Sequence, residues 1–232
     1  QGGIAGVAPT SSLTFATVSS ITSCFYRVIQ SNDNIRTKNA VGYVRLDCPR
    51  GGLVFATMNV LPLGQPAVAS NIFGNQLPIG TRVMYYDHNM QAYVTDNKSF
   101  SGWSSSINFA LGKGFWIQVP STAPSNMYSA YLVGEVPGST TAPSVTREVA
   151  TGSTMLGYPY PADMLWTNTT LAKQARNGDI QYTWNGSNYV CNNKSFAGWA
   201  YPNMVMRPGN GFWYITSSAP TNWTEVKPYT WP

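Results

Sequence analysis

The sequence predicts an all-β protein: two tandem homologous β-sandwich or barrel-like units preceded by an extended N-terminal strand arm. Three observations carry this. One stretch occurs twice, Tyr93-Val94-Thr95-Asp96-Asn97-Lys98-Ser99-Phe100-Ser101-Gly102-Trp103 and Tyr189-Val190-Cys191-Asn192-Asn193-Lys194-Ser195-Phe196-Ala197-Gly198-Trp199. Each copy leads to Gly-x-Gly-Phe-Trp (Gly112-Lys113-Gly114-Phe115-Trp116 and Gly209-Asn210-Gly211-Phe212-Trp213) and then to a turn ending Ala123-Pro124 or Ala219-Pro220. Identity this dense at one separation marks two copies of a unit of about a hundred residues, an ordinary domain size. Finally, short β-branched and aromatic runs alternate with Gly, Pro and Asn turns, and no long amphipathic helix interrupts them. The division that results is an extended arm over residues 1–39, a β unit over 40–138 and a second over 139–232.

Within the arm, Leu13, Phe15 and Ile21 fall at odd positions with Thr17 and Ser19 between them, a period-two pattern with one partly apolar side. Residues 24–30 predict a further strand, ended by the turn Ser31-Asn32-Asp33-Asn34, because Asn and Asp tolerate left-handed backbone. Residues 41–46 and 53–61 predict the opening strands of the first unit, separated by Cys48-Pro49-Arg50-Gly51-Gly52. A short helix fits best at 67–73, with its match at 165–173. Residues 81–86 and 91–95 predict a hairpin about Asp87-His88-Asn89-Met90. The corresponding hairpin, 179–184 with 188–191, turns at Asn185-Gly186, where both residues accept positive φ.

The glycines of Gly-x-Gly let a backbone bulge or approach a neighbour closely. Strands at 115–119 and 212–216 follow, so in each Phe-Trp pair one ring enters the core and the other faces outward or toward a partner surface. A strand at 128–136 closes the first unit and 138–143 is the linker. Strands at 144–149 and 224–226 open and close the second unit.

Composition narrows the function. Apolar residues make up 43% of the chain, enough for a core, while charged residues make up only 10%, against roughly 25% in an average soluble domain. Ser, Thr, Asn and Tyr fill the surface instead. Such a surface hydrogen-bonds rather than repels, and favours self-association or sugar contact. The net charge is +5, but the basic residues are scattered, with a loose cluster at Arg27, Arg36, Lys38, Arg45 and Arg50. That argues against a nucleic-acid partner. No apolar run is long enough to span a bilayer. The start Gln1-Gly2-Gly3 fits a mature end left after signal-peptide removal, so the expected location is extracellular.

No catalytic, cofactor or metal site is predicted. Cys24, Cys48 and Cys191 lack metal-ligand spacing and His88 is the single histidine, so zinc is not expected. Cys24 and Cys48 would be able to pair if their strands lie side by side. Asp87 and Asp96 fall at opposite ends of one hairpin, and Asn192 replaces Asp96 in the second copy, which points to turn residues rather than an acid–base pair. Gly112-Lys113-Gly114 precedes a strand, not a helix, and so is no phosphate loop. Recurrence of Phe100, Trp103, Phe196 and Trp199 in both units marks them as core. The remaining aromatics, Trp116, Trp213, Trp223 and Trp231, with Tyr85, Tyr86, Tyr93 and Tyr189, are candidates for stacking on sugar rings.

The paired units, the openings Val41-Gly42-Tyr43-Val44 and Gly51-Gly52, the Gly-x-Gly-Phe-Trp segments and the end Lys227-Pro228-Tyr229-Thr230-Trp231-Pro232 resemble a group of uncharacterised exported β-rich tandem-repeat proteins of the verrucomicrobial type. That resemblance covers most of residues 40–232, implies secretion from a bacterium and supplies no activity or site residues. The expected function is therefore a non-enzymatic structural subunit of an extracellular bacterial assembly, such as a filament, sheath or surface layer. It would be a homopolymer joined by strand donation, with Leu13, Phe15, Val18 and Ile21 entering a groove on the next subunit. The same arm would alternatively pair within its own chain. The other expected function is a secreted carbohydrate-binding or adhesive module directed at a cell-surface glycan.

Overall fold

The β-branched and aromatic runs become short strands, and the Gly, Asn and Pro clusters become the turns between them. A computed structural model describes residues 22–26, 29–30, 35–36, 39–219 and 221–230; Leu13, Phe15, Val18, Ile21 and Trp231 lie outside these. The chain begins with β1 (Ser23–Tyr26) and a small ladder of β2 (Ile29–Gln30) with β3 (Ile35–Arg36). It continues through β4 (Val41–Pro49), β5 (Leu53–Thr57), β6 (Leu61–Pro62), the one-turn helix α1 (Ala69–Ile72), β7 (Arg82–Asp87), β8 (Ala92–Ser99), β9 (Gly102–Trp103), β10 (Gly114–Gln118) and β11 (Met127–Glu135). These form a four-stranded sheet, β1-β4-β11-β6, and a five-stranded sheet, β5-β10-β7-β8-β9.

The second half runs β12 (Ser144–Val149), β13 (Gly152–Gly157), β14 (Met164–Leu165), a 3-10 turn (Trp166–Asn168), α2 (Thr170–Gln174), β15 (Ile180–Trp184), β16 (Tyr189–Ser195), β17 (Gly198–Trp199), β18 (Val205–Met206), β19 (Gly211–Thr216) and β20 (Thr221–Val226). Its sheets are β12-β20, β14-β18 and the five-stranded β13-β19-β15-β16-β17. The protein is thus all-β, and none of its sheets closes into a barrel. The two five-stranded sheets share one strand order. Each repeated stretch supplies the same hairpin and return strand in its own sheet.

One apolar core runs through both halves. Phe73, Phe109 and Phe115 from the first and Trp166, Phe212 and Trp223 from the second belong to the same cluster. The glycine pairs explain how the halves meet. Thr57 N–H donates to Gly209 O at 3.0 Å, and Gly157 N–H donates to Gly112 O at 3.0 Å. The bridges Ala56–Asn210 and Lys113–Leu156 repeat the same exchange. A Cβ on Gly114 would stand 2.7 Å from Leu156 O, and one on Gly211 would stand 2.5 Å from Ala56 O. Each glycine pair therefore lets one half lay its backbone against the other. The buried Asn59 side chain spans the seam, donating to Tyr158 O and accepting from Gly209 N–H.

The repeated Lys-Ser-Phe-x-Gly-Trp run is a turn held by its polar members. Lys98 Nζ donates to Gly74 O at 2.9 Å and to Leu77 O at 2.7 Å, just past helix α1. The indole N–H of Trp103 also donates to Gly74 O, and that of Trp199 to Ala172 O in α2. Ser99 and Ser195 hydroxyls donate to Gly102 O and Gly198 O. These glycines take φ of 109° and 114°, which few side chains tolerate. The two tryptophans lie in or against the core, but Phe100 and Phe196 do not: they sit at the turn tips, 95% and 97% exposed. Repetition preserves the turn here, and the Phe ring is no part of what holds it.

The cysteines are unpaired thiols. β1 and β4 do lie side by side, but their register sets Cys24 opposite Tyr43, while Cys48 faces Tyr128 on the other neighbour.

Candidate functional site

Period-two alternation sends Phe115 and Phe212 into the main core and turns Trp116 and Trp213 to the opposite face of their sheets. There the second contact between the halves forms. Trp116 stacks on its cross-strand neighbour Phe55 with centroids 4.3 Å apart and planes at 28°. It also meets Trp184 of the second half edge-on at 5.7 Å. The reciprocal contact is Trp213 edge-on to Tyr86 of the first half at 5.6 Å. Tyr86 and Trp184 hold matching hairpin positions, paired with Tyr93 and Tyr189 respectively.

Between the two hairpins this leaves a groove of about 440 Å³, lined by Tyr86, Tyr93, Ser153, Tyr182, Tyr189, Trp213 and Ile215. Its walls are half-exposed rings: Tyr93 lies edge-on to Tyr86 at 5.4 Å, and Tyr189 edge-on to Tyr182 at 5.9 Å. Each ring is braced by the next, so the walls are preorganised. Among the described residues no charged side chain lines the groove. Burial, then the neighbouring Tyr189, raises Tyr93 above the ordinary phenol range, and the Cys191 thiol beside Tyr182 raises that group too. Both phenols are therefore neutral at pH 7, able to donate and to accept. The arrangement offers flat apolar faces edged by hydroxyl groups.

Of the described tryptophans proposed for sugar stacking, Trp213 alone lines this groove. Trp116 is 4% exposed, covered by Phe55 and the second half, and Trp223 is 1% exposed with its N–H bound to Glu225 at 2.8 Å. Neither offers a ring face to a ligand, so both are corrected to packing residues. Of the tyrosine candidates, Tyr86, Tyr93 and Tyr189 line the groove; Tyr182 has no such signal in the sequence, because its place here needs both halves. The one local sign was aromatic content in corresponding hairpins.

The buried acids are engaged elsewhere. Asp96 accepts from the backbone N–H groups of Ser106 and Ile107 and from Ser104, and so pins the loop after β9. Asn192, at the matching position, does the same for Tyr201 N–H at 2.8 Å. Asp179 accepts from Tyr214 and Arg176 N–H, and Glu225 from Thr170 and Trp223. Asp87 and Asp96 stay at opposite ends of the β7–β8 hairpin. His88 lies 3.5 Å from Glu148. Among the described residues no three His, Cys, Asp or Glu side chains gather as a metal site would require, and no helix is long and apolar enough to cross a membrane. No protein-family model, curated protein or solved structure matches the chain.

Proposed function

We propose that the chain is a non-enzymatic binding protein of the cell exterior whose groove between the hairpins holds a neutral saccharide. The observation that carries this is an uncharged channel with aromatic walls and hydroxyl edges. A pyranose ring is amphipathic in the same way: axial C–H groups present an apolar face, and equatorial hydroxyls present donors and acceptors at the rim. Stacking desolvates the first, while tyrosine and serine hydroxyls pair with the second. A charged ligand would enter without a counter-charge and lose its hydration. The low overall charge and the engagement of each buried acid in holding a loop or strand support a binding role over a hydrolytic one. The shared strand order supports reading the halves as two copies of one module, with the site built where they meet.

Affinity electrophoresis against neutral polysaccharides, followed by a glycan array, tests the proposal. The chain should be retarded by at least one neutral glycan. Trp213→Ala should weaken that binding by about tenfold or more, the loss of roughly 1.4 kcal/mol. Phe100→Ser, far along the hairpin from the groove, should not. A silent array, or binding indifferent to Trp213, would overturn the reading.

A second reading, a structural subunit of an extracellular assembly, is favoured by a separate observation: among the described residues no strand lies outside β12 in the second half, where β1 fills the matching edge of β4 in the first.

A further inference from the structure

We infer that the outer edge of β12 is the acceptor for an extended N-terminal segment, residues 13–21, donated by a second copy of the chain. This deepens the assembly reading and is independent of saccharide binding.

β1 pairs antiparallel with β4, Ser23 opposite Val44 through Tyr26 opposite Val41, and Arg45 N–H donates to Thr22 O at 2.7 Å. The arm thus already supplies one strand to a sheet edge in its own chain, and Phe25 packs against the core from there. β4 is hydrogen-bonded on both sides, by β1 and by β11. Among the described strands its counterpart β12 pairs with β20 alone. Lys227 N–H donates to Pro143 O at 3.1 Å, which fixes the alternation of the ladder. Residues 143, 145 and 147 turn their main-chain groups to β20, so those of Ser144 and Thr146 face away. No backbone group of the described residues takes them.

Beside that edge runs a second groove, of about 350 Å³, bounded by Ser144, Val145, Thr146 and Arg147 on one side and by Leu61, Phe109 and Leu111 with the polar Gln65 and Asn108 on the other. An edge without an outer strand and a partly apolar trough next to it is what β-augmentation uses: main-chain bonds give affinity, and alternate side chains filling the trough give register. An occupant must be extended, with apolar residues at every second position and little charge. The chain has such a segment outside its described residues. Twenty-one residues precede Thr22, with Leu13, Phe15 and Ile21 in period-two spacing and no charged residue among them. Donation to a second copy joins different surfaces, so the contact repeats without closing and yields a filament.

Sedimentation velocity of the full chain over a range of concentrations tests this. The wild type should form concentration-dependent polymers. Thr146→Pro removes an outward N–H, which an edge strand tolerates, together with the exposed 2.8 Å hydroxyl contact to Thr224, and should give a folded monomer; Ser144→Pro is the second variant at the same edge. A chain carrying Leu13→Asp and Phe15→Asp should also be monomeric. Mixed in equal amounts, the Thr146→Pro chain keeps a donor and the Leu13→Asp/Phe15→Asp chain keeps an acceptor, so the two should form a one-to-one dimer and no polymer. Hydrogen exchange at the Thr146 amide should be slow in wild-type polymers and fast in the donor-deficient variant. Polymers unaffected by both proline variants would overturn the β12 acceptor while leaving assembly standing. A wild type that stays monomeric at every concentration would overturn both. Slow exchange at Thr146 in such a monomer would assign the edge to an arm folded back on its own chain. Saccharide binding that survives Thr146→Pro separates this outcome from failure of the groove.

Discussion

Lys113 is the variable residue of the first Gly-x-Gly, and the seam between the halves encloses it. Its ammonium sits 3.8 Å from the centroid of Tyr85 and donates to Asn108 O. Burial first, and then Arg147, depress its pKa from 10.5 to about 8, with Asp87 opposing. The fold therefore disfavours the charged form. Below pH 8 both folded and unfolded chains carry the proton and the penalty is complete. Between pH 8 and 10.5 the unfolded chain binds more protons, so stability rises with pH. The tyrosines act in the opposite sense: burial raises Tyr160 to about 12, so above pH 10 the unfolded chain loses protons that the fold retains. Burial also raises the Cys48 thiol from 9 to about 12, so from pH 9 the unfolded chain sheds a proton there that the fold keeps. Urea midpoints should climb from pH 8, level off near pH 9 and fall above pH 10. In Lys113→Met the climb should vanish while the fall remains; a climb that persists would show that another group is responsible.

At the scale of elements, both hairpins, the helix at 69–72 and the strands at 41–49, 114–118, 127–135, 144–149 and 211–216 lie where the local pattern puts them, because period, turn residues and length are local properties. The expected 53–61 strand instead ends at Thr57 and the chain joins another sheet as β6, the expected 165–173 helix divides into a 3-10 turn and α2, and β13 (Gly152–Gly157) has no expectation in the sequence. The predicted 41–46 strand continues to Pro49 as β4, since β11 pairs with it along its whole length. Phe100 and Phe196 show the limit of that legibility. Their recurrence points to the core, yet a repeated motif can equally preserve a turn, and here Lys98, Ser99, Gly102 and Trp103 hold it. Removing a ring that touches almost nothing forfeits almost no burial energy. Phe100→Ser and Phe196→Ser, alone or together, should each change the unfolding free energy by no more than about 0.5 kcal/mol. A loss several times larger in chemical denaturation would place the rings in contact with something that this arrangement leaves out. The groove was less legible than the turns. Trp213 was singled out by its Gly-x-Gly-Phe-Trp run, but the same reasoning nominated Trp116. Only the packing of one half on the other covers Trp116 and leaves Trp213 on a groove.

At the scale of the molecule, the seam makes the halves energetically one. Gly157 is where this is most sharply testable. It occupies the position that Thr57 holds in the first half, both opposite the second glycine of a Gly-x-Gly, and a Cβ on it would overlap the Thr57 side chain. Gly157→Ala should therefore cost about 1–3 kcal/mol, the scale of overpacking. Because Thr57 supplies the atoms in the way, Thr57→Gly should absorb part of that cost, and a double-mutant cycle should return a coupling energy of the relieving sign. The core cluster crosses the seam, so a strain applied there is shared: amides in β7 and β8 should lose protection by the same factor as those in β15 and β16. Heat should unfold wild type and variant in one transition with equal calorimetric and van't Hoff enthalpies. Two resolved transitions, with only one moved by Gly157→Ala, would mean that each half keeps its own fold and that the saccharide groove between them is free to come apart.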